Sequence, residues 1–225
     1  MSKRAMVSAT AGLVLALAWG MPGLDAASTA KLVDNFEDGD IMNVLAKSGI
    51  GPIDRAWYAG CDTFGASKAS PLKVEALGKD AAAGKAIHAA GVMGKTVGNN
   101  WVWAQLSTDV GEVAKPASLV PSTGITFRAK TLLPGGSVRF SCEGTVGGKK
   151  LAGTGASHCK LFQPTAQWTT YTILWTEMAQ PSWVCPGGAL CAGALTVDQV
   201  VSLNWSFTGE GQAFDLWLDD VALVY

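Results

Sequence analysis

Histidine is scarce in this chain, which carries only His88 and His158 among its 225 residues. Neither belongs to an H-E-x-x-H motif, and the sequence has no G-x-S-x-G elbow and no phosphate-binding P-loop. The usual signatures of metalloproteases, serine hydrolases and nucleotide-dependent enzymes are therefore missing. A glycan-active enzyme stays open as an alternative, because glycosidic cleavage needs only two carboxylates at a suitable separation.

An excess of charge of either sign is also missing. Lys and Arg number 17 against 18 Asp and Glu, which gives a net charge of −1. A chain without a basic surplus is not expected to bind nucleic acid or an anionic membrane surface. Beyond the N-terminal region, no apolar run is long enough to span a bilayer.

The N-terminal region, residues 1–30, has the pattern of a secretory signal peptide. A basic pair at 3–4 precedes an apolar run at 11–19, and small residues follow near Ala26. We therefore expect a secreted or periplasmic protein that does not contact the membrane after cleavage. Residues 31–225 are predicted to form a single domain and a monomer. An uncleaved membrane anchor is the alternative.

Five cysteines lie in the part expected to be exported, where disulfides are permissible. Their loop spacing suits bridges between Cys142 and Cys159 and between Cys185 and Cys191, which leaves Cys61 unpaired. Spacing alone leaves the other pairings open. Metal binding by these cysteines is a weaker alternative, because no two of them form a C-x-x-C pair.

Helical periodicity is almost absent after the signal region. Short runs of alternating polarity recur instead, separated by turns that draw on 27 glycines. This pattern predicts an all-β fold, an antiparallel β-sandwich of the jelly-roll type. The clearest runs are at 101–107, 125–130, 137–142, 168–175, 200–207 and 214–224.

Two of these runs separate core residues from surface residues. In "VVSLNWSF" (200–207), Trp205 belongs to the apolar row and Asn204 to the polar one. In "WVWAQLS" (101–107), the aliphatic residues form a core row, so the other face carries Trp101, Trp103 and Gln105. Exposed tryptophans can stack on the C–H faces of sugar rings. The alternative is that these tryptophans pack in the core, as most do.

Carboxylates cluster at both ends of the predicted domain. Asp34, Glu37, Asp38 and Asp40 stand within seven residues, and two adjacent aspartates interrupt the last strand. Because side chains alternate, one of the two should point to the apolar side, where a lone carboxylate needs a partner. First and last strands often pair in sandwiches, so a calcium ion could join the two clusters. The alternative is that the acids cap solvent-exposed turns.

Four segments in order resemble the galactose-binding-like β-sandwich domains. They are "LVDNFEDGD", "GITFRAK", "WTTYTILWTEMAQPSW" and "VVSLNWSFTGEGQAFDLWLDDVALV". The sequence is most similar to the family 11 carbohydrate-binding modules and to the complex I intermediate-associated protein family. The resemblance implies a jelly-roll sandwich with a structural calcium ion. Its ligands would be Glu37, Asp40 and Asp220, with Asp38, Asn43 and Asp219 as further candidates.

The same resemblance implies glycan binding on a sheet face lined by aromatic residues. The segment "RAWYAGCD" matches one that carries an aromatic pair followed by an acid, here Trp57, Tyr58 and Asp62. We therefore predict a secreted, non-catalytic carbohydrate-binding protein whose partner is a polysaccharide or oligosaccharide. The alternative is a structural or protein-interaction domain of the same fold without a sugar site.

Overall fold

The computed structural model describes residues 30–50, 54–62, 67–76, 84–98, 102–133, 136–146, 149–150, 158–180 and 195–225. All but the last residue of the predicted signal peptide lie outside the described residues, as do Trp101, Cys185 and Cys191. Within the described ranges, no helix has the length and apolar character needed to cross a membrane.

Antiparallel strands make up the described fold, and its helical content there is one 3-10 turn at Trp175–Glu177. The strands are β1 (Lys31–Asp34), β2 (Trp57–Cys61), β3 (Lys68–Ala69), β4 (Lys73–Ala76), β5 (Lys85–Val92), β6 (Ala104–Asp109), β7 (Gly124–Lys130), β8 (Val138–Val146), β9 (Lys149–Lys150), β10 (His158–Phe162), β11 (Thr169–Leu174), β12 (Val200–Phe207) and β13 (Ala213–Val224).

These strands form two sheets packed face to face. The front sheet has the order β10-β8-β12-β6-β2, with β9 added to β8, and so contains six strands. The back sheet has the order β11-β7-β13-β5-β3, with β1 on β13 and β4 on β5, and so contains seven. The predicted all-β antiparallel sandwich is confirmed. So is the expectation that the first strand pairs with the last.

An aromatic cluster between the sheets centres on the fully buried Trp205 of β12. Its ring lies 5.5 Å from that of Trp57 and 5.0 Å from that of Phe140, centroid to centroid. Phe127 of the back sheet meets it edge-on at 5.6 Å. The cluster therefore joins the two sheets, and the prediction that Trp205 is a core residue is confirmed.

Strand β13 carries a bulge at the paired aspartates. It pairs with β5 over residues 213–218 and with β1 over residues 221–223. Its register with β7 shifts between Asp219 and Ala222. Asp220 has a positive φ of 49°. The extra residue of a bulge interrupts the alternation. Asp219 lies in the outward row beside Arg128 but is only 3% exposed, Asp220 is exposed, and Leu218 and Val221 stay in the core. The expectation that one aspartate is buried is confirmed by Asp219, whereas the expectation that it points to the apolar side between the sheets is wrong.

The predicted bridge between Cys142 and Cys159 is also wrong. Strands β8 and β10 pair Cys142 with His158 and pair Cys159 with Ser141, and both cysteines are free. Cys142 points into the core, whereas Cys159 is offset by one residue and lies on the opposite side of the sheet. Cys61 is also free.

Thiol chemistry tests this register directly. Burial raises the pKa of the Cys142 thiol far above its usual value. Alkylation of the native protein at pH 8 should therefore spare Cys142, and alkylation in guanidinium chloride should modify it. Mass mapping of unreduced peptides provides the check. A peptide crosslinked between Cys142 and Cys159 would contradict the register.

Candidate functional site: the outward face of the front sheet

A row of small polar side chains crosses the outward face of the front sheet. Cross-strand pairing aligns Cys159 with Ser141, Ser141 with Asn204, Asn204 with Ser107, and Ser107 with Tyr58. We call these five residues the central row. It spans five strands, a distance of roughly 19 Å at the usual strand spacing.

Longer side chains flank the central row on both sides. On one side, Glu143 and Asp109 lie on either side of Ser202, whose hydroxyl donates to Glu143 Oε2 at 3.2 Å. On the other side, Arg139 and Gln105 face each other across Ser206. Ser107, Ser141 and Asn204 of the central row are shorter than these flanking side chains and are only 0–4% exposed, and we call this part of the face the furrow.

Asn204 sits in the middle of the central row with an unused acceptor. It is only 2% exposed, and its Nδ2 donates to Ser202 Oγ at 3.3 Å. Its Oδ1 has no hydrogen-bond partner among the described residues. A buried amide oxygen without a donor is costly. The strand alternation predicts that Asn204 faces outward, but it cannot show that one acceptor stays free.

Tyr58 closes the furrow at the β2 edge. Its side chain is exposed, and its hydroxyl donates to Asp109 Oδ1 at 3.3 Å. Partial burial first, and then the negative charge of Asp109, raise the pKa of the Tyr58 hydroxyl to about 12. Tyr58 therefore remains a protonated donor with an accessible ring at any physiological pH.

Trp103 lies beside Tyr58 on the same outward face and is 45% exposed. Its ring covers Gly60, where an added Cβ would stand only 3.2 Å from Cζ3. Any larger residue at position 60 would push the indole away from the sheet. Gln105 follows Trp103 on the same face and is half-buried. The alternation predicted this orientation for both residues, and their contact with a ligand stays a prediction.

Asp62, predicted as a ligand-binding residue, instead holds Trp103 in place. Its backbone N–H donates to the Trp103 carbonyl at 3.0 Å, and its Oδ2 accepts from the Trp103 N–H at 3.1 Å. Ser67 donates to the same carboxylate oxygen and accepts from the Gly94 N–H. Asp62 is buried and is therefore a positioning residue, not a contact for sugar.

Trp57, the other aromatic of the predicted pair, is not available to a ligand. It is 1% exposed and packs between Phe36 and Trp205. Its Nε1 donates to Asp34 Oδ2 at 2.7 Å. Adjacent residues of a strand point to opposite faces, so burial of Trp57 is what leaves Tyr58 outside. The prediction that Trp57 binds ligand is wrong.

The candidate metal centre lies at one corner of the back sheet, where Asp219 and Asp220 have Glu37 nearby; we call these three residues the acidic corner. Asp219 is buried, and its pKa is raised to about 6, chiefly by burial and then by Asp220, with a contribution from Glu37. The positive charge comes from Arg128, whose Nη1 lies 3.5 Å from Asp219 Oδ2 and 3.4 Å from Asp220 Oδ2. The sequence analysis missed this partner.

The remaining predicted metal ligands contact other groups. Glu37 Oε1 accepts from the Lys85 N–H, and Asp40 Oδ1 accepts from the Met42 N–H. Within the described part of the chain, no group of three or more acidic, histidine or cysteine side chains could hold a metal ion. Calcium binding by Glu37, Asp40 and Asp220 therefore stays a prediction.

A second buried carboxylate, Asp34, lies under the acid loop. It accepts from the Phe36 N–H at 2.8 Å and from the Trp57 indole. Its pKa is also raised to about 6, mainly by burial, with smaller contributions from Asp38 and Asp40. Asp34 and Asp219 thus both hold their protons more tightly in the folded protein than in the unfolded chain.

The stability of the protein should consequently fall as pH rises from 4 toward 6.5. A carboxyl with a raised folded-state pKa binds more protons when folded, so it favours folding at low pH and opposes it above its folded pKa. From the shift to about 6, each group contributes at most roughly 3 kcal/mol. Asp219→Asn should remove about half of the decrease in stability that thermal melts record between pH 4 and 6.5.

The exposed Asp198 supplies a matched control, because Asp198→Asn changes the same group outside the corner. The stability of Asp198→Asn should fall with rising pH by the same amount as that of the wild type. An Asp219→Asn variant that kept the full wild-type decrease in stability would contradict the assignment.

Comparison with known structures shows which folds this sandwich is similar to. A family 11 carbohydrate-binding module from Clostridium thermocellum cellulase Lic26A-Cel5E aligns with a TM-score of 0.57 at 15% identity, over 88% of this chain and 96% of that one. A family 11 module from Clostridium thermocellum in complex with a β-1,3-1,4-mixed-linked tetrasaccharide aligns with a TM-score of 0.57 at 15% identity, over 87% of this chain and 95% of that one.

A family 30 carbohydrate-binding module from Clostridium thermocellum cellulase Cel9D-Cel44B aligns with a TM-score of 0.51 at 11% identity, over 86% of this chain and 96% of that one. No family model and no curated protein sequence matches the chain. At these identities the likeness establishes the fold, the β-sandwich of carbohydrate-binding modules. The complex I intermediate-associated family is not among these structural neighbours.

Proposed function

We propose that the protein is a secreted, non-catalytic carbohydrate-binding protein that holds a neutral polysaccharide in the furrow of the front sheet. The observation that carries the proposal is the pair of exposed aromatic side chains, Tyr58 at 39% and Trp103 at 45%, on the outward face of the front sheet. Their rings can stack on the apolar C–H faces of sugar rings. The Tyr58 hydroxyl and the half-buried Gln105 amide beside them suit sugar hydroxyls better than a flat hydrophobic partner surface, which argues against the alternative of a protein-interaction domain.

The composition of the furrow supports the same proposal. Sugar rings combine apolar C–H faces with hydroxyl edges, so a binding site needs aromatic surface beside many small hydrogen-bonding groups. Tyr58 and Trp103 supply the aromatic surface at one end. The half-buried Gln105 amide lies beside them, above the buried polar floor of Ser107, Ser141 and Asn204. Structural neighbours of the sandwich include a module solved with a bound tetrasaccharide.

The site is organised before a ligand arrives. Trp103 is fixed through both of its backbone groups by Asp62, and the Tyr58 hydroxyl is oriented by Asp109. Binding then costs little side-chain entropy at the aromatic end, which favours affinity. Glu143 and Asp109 on one flank of the furrow outnumber the single cation, Arg139, on the other, so a neutral glycan fits better than a uronate polymer.

Substitution of Trp103 separates a binding role from a structural one. Trp103→Ala should weaken binding at least about tenfold, because truncated aromatic anchors typically cost 2 kcal/mol or more. The free energy of unfolding should change by less than about 1 kcal/mol, because the side chain is exposed. Affinity electrophoresis in mixed-linked β-glucan, xylan, galactan and polygalacturonate, run beside thermal melts, provides both measurements.

Leu174→Ala, on the outward face of the back sheet, is the control and should match the wild type in both assays. If none of the four polysaccharides retards the wild type, the protein-interaction alternative is preferred.

We also propose that calcium binds at the acidic corner, with Glu37, Asp40 and Asp220 as its ligands. Burial is the main cause of the raised pKa of Asp219, but repulsion from Asp220 and Glu37 adds to it, and a cation would relieve that repulsion. A bound calcium ion would neutralise the negative charge of these carboxylates, as Arg128 does in part in the structure. Asp38, Asn43 and Asp219 would contribute further oxygens.

Calcium binding predicts a metal-dependent melting temperature, because a ligand that binds only the folded state stabilises it by mass action. The wild type should melt at a higher temperature in calcium than in chelator. Asp220→Ala should melt equally in both, whereas Asp54→Ala, in a different loop, should keep the wild-type difference. If the wild type melts at the same temperature in calcium and in chelator, calcium does not bind at the acidic corner, and Arg128 remains the counterion that the structure shows there.

A further inference from the structure

A cleft of about 440 Å³ opens at one end of the sandwich, away from the central row. This volume lies within the usual range of ligand pockets, about 300–1,000 Å³. Its floor includes Phe207 of the front sheet and Phe214 of the back sheet, whose rings stack at 4.1 Å. The cleft therefore enters between the two sheets and does not run along either face.

Hydrogen bonds between separate segments fix the walls of the cleft. Thr208 Oγ1 donates to the Ser137 carbonyl at 2.7 Å, which ties the β12–β13 turn to the start of β8. The Leu132 N–H donates to Asp215 Oδ1 at 2.8 Å, which ties the end of β7 to β13. The opening is thus held in shape without a ligand, as a binding site requires.

Asp215 lies at the mouth of the cleft, and strand alternation turns its side chain toward the outer face of the back sheet. Its side chain is 9% exposed, and its two oxygens are bonded to the Leu132 N–H and to His88 Nε2. Gln212 adds an amide at the exposed rim, and Leu133 and Val138 add apolar surface. The lining therefore offers apolar contact beside an accessible amide.

We propose that this cleft is a second carbohydrate-binding site, which takes one or two sugar rings at the end of a chain. An apolar ring face would pack against Leu133 and the edges of the phenylalanine pair, whose residues are each 7% exposed, and the sugar hydroxyls would exchange hydrogen bonds with Gln212. A chain end fits because the cleft leads inward between the sheets. This site does not depend on the furrow, since neither Trp103 nor Asn204 lines it.

Nuclear magnetic resonance of the ¹⁵N-labelled protein tests the proposal site by site. The probes are cellobiose, lactose, maltose and mannobiose, with benzyl alcohol as a largely apolar comparison that has a single hydroxyl group. At least one disaccharide should produce saturable shifts of the Ser137, Gln212 and Asp215 amides. The same shifts with the same affinity should appear in Trp103→Ala, so failure of the furrow and failure of the cleft are separate results.

A blocking variant completes the test. Leu133→Arg places a large side chain in the cleft and should weaken the disaccharide affinity at least tenfold. Leu174→Arg makes the same change at a residue of similar exposure, 40% against 43%, on the back sheet, and should leave the affinity unchanged. Gln212→Ala, at an exposed rim residue, should weaken binding several-fold without altering the melting temperature.

Three results would overturn the second site. The first is that no disaccharide in the panel shifts the cleft amides of the wild type. The second is that benzyl alcohol binds there more tightly than every sugar, which would mark the cleft as merely apolar. The third is that the disaccharide affinity survives in both Leu133→Arg and Gln212→Ala.

Discussion

Burial of the Trp205 indole between the two sheets is the constraint on which the rest of the structure depends. The ring meets aromatic side chains from both sheets, so β12 can occupy only the register that keeps Trp205 inside. Because strand side chains alternate, the same register sends Asn204 and Ser206 outward. The polar furrow of the front sheet is thus the reverse side of the hydrophobic core.

A similar division explains the aromatic pair in β2. Trp57 anchors the strand to the core and to the buried carboxylate of Asp34, and Tyr58 consequently faces the furrow. Beside it, Trp103 rests on Gly60 and is fixed by Asp62 through main-chain hydrogen bonds. Two buried residues, Trp57 and Asp62, therefore set the positions of the two exposed aromatic rings.

The acidic corner shows how a strand accommodates two adjacent charges. A β-bulge keeps both carboxylates out of the space between the sheets, although Asp219 remains buried, and the positive φ of Asp220 is the local cost. Arg128 on the neighbouring strand offsets part of the repulsion between the two carboxylates. Burial, together with the remaining repulsion from Asp220, keeps Asp219 easier to protonate than a free aspartate, so this corner links the stability of the fold to pH.

Period-two alternation is a local property, and it alone predicted the all-β sandwich, the burial of Trp205 and the outward orientation of Trp103. What the sequence could not decide depends on pairing between distant strands. The register of β8 against β10 placed Cys142 and Cys159 on opposite faces, and the packing of β2 turned Trp57 inward. The bulge at Asp220, the pairing with Arg128 and the free acceptor of Asn204 likewise emerge only when strands far apart in the chain are brought side by side.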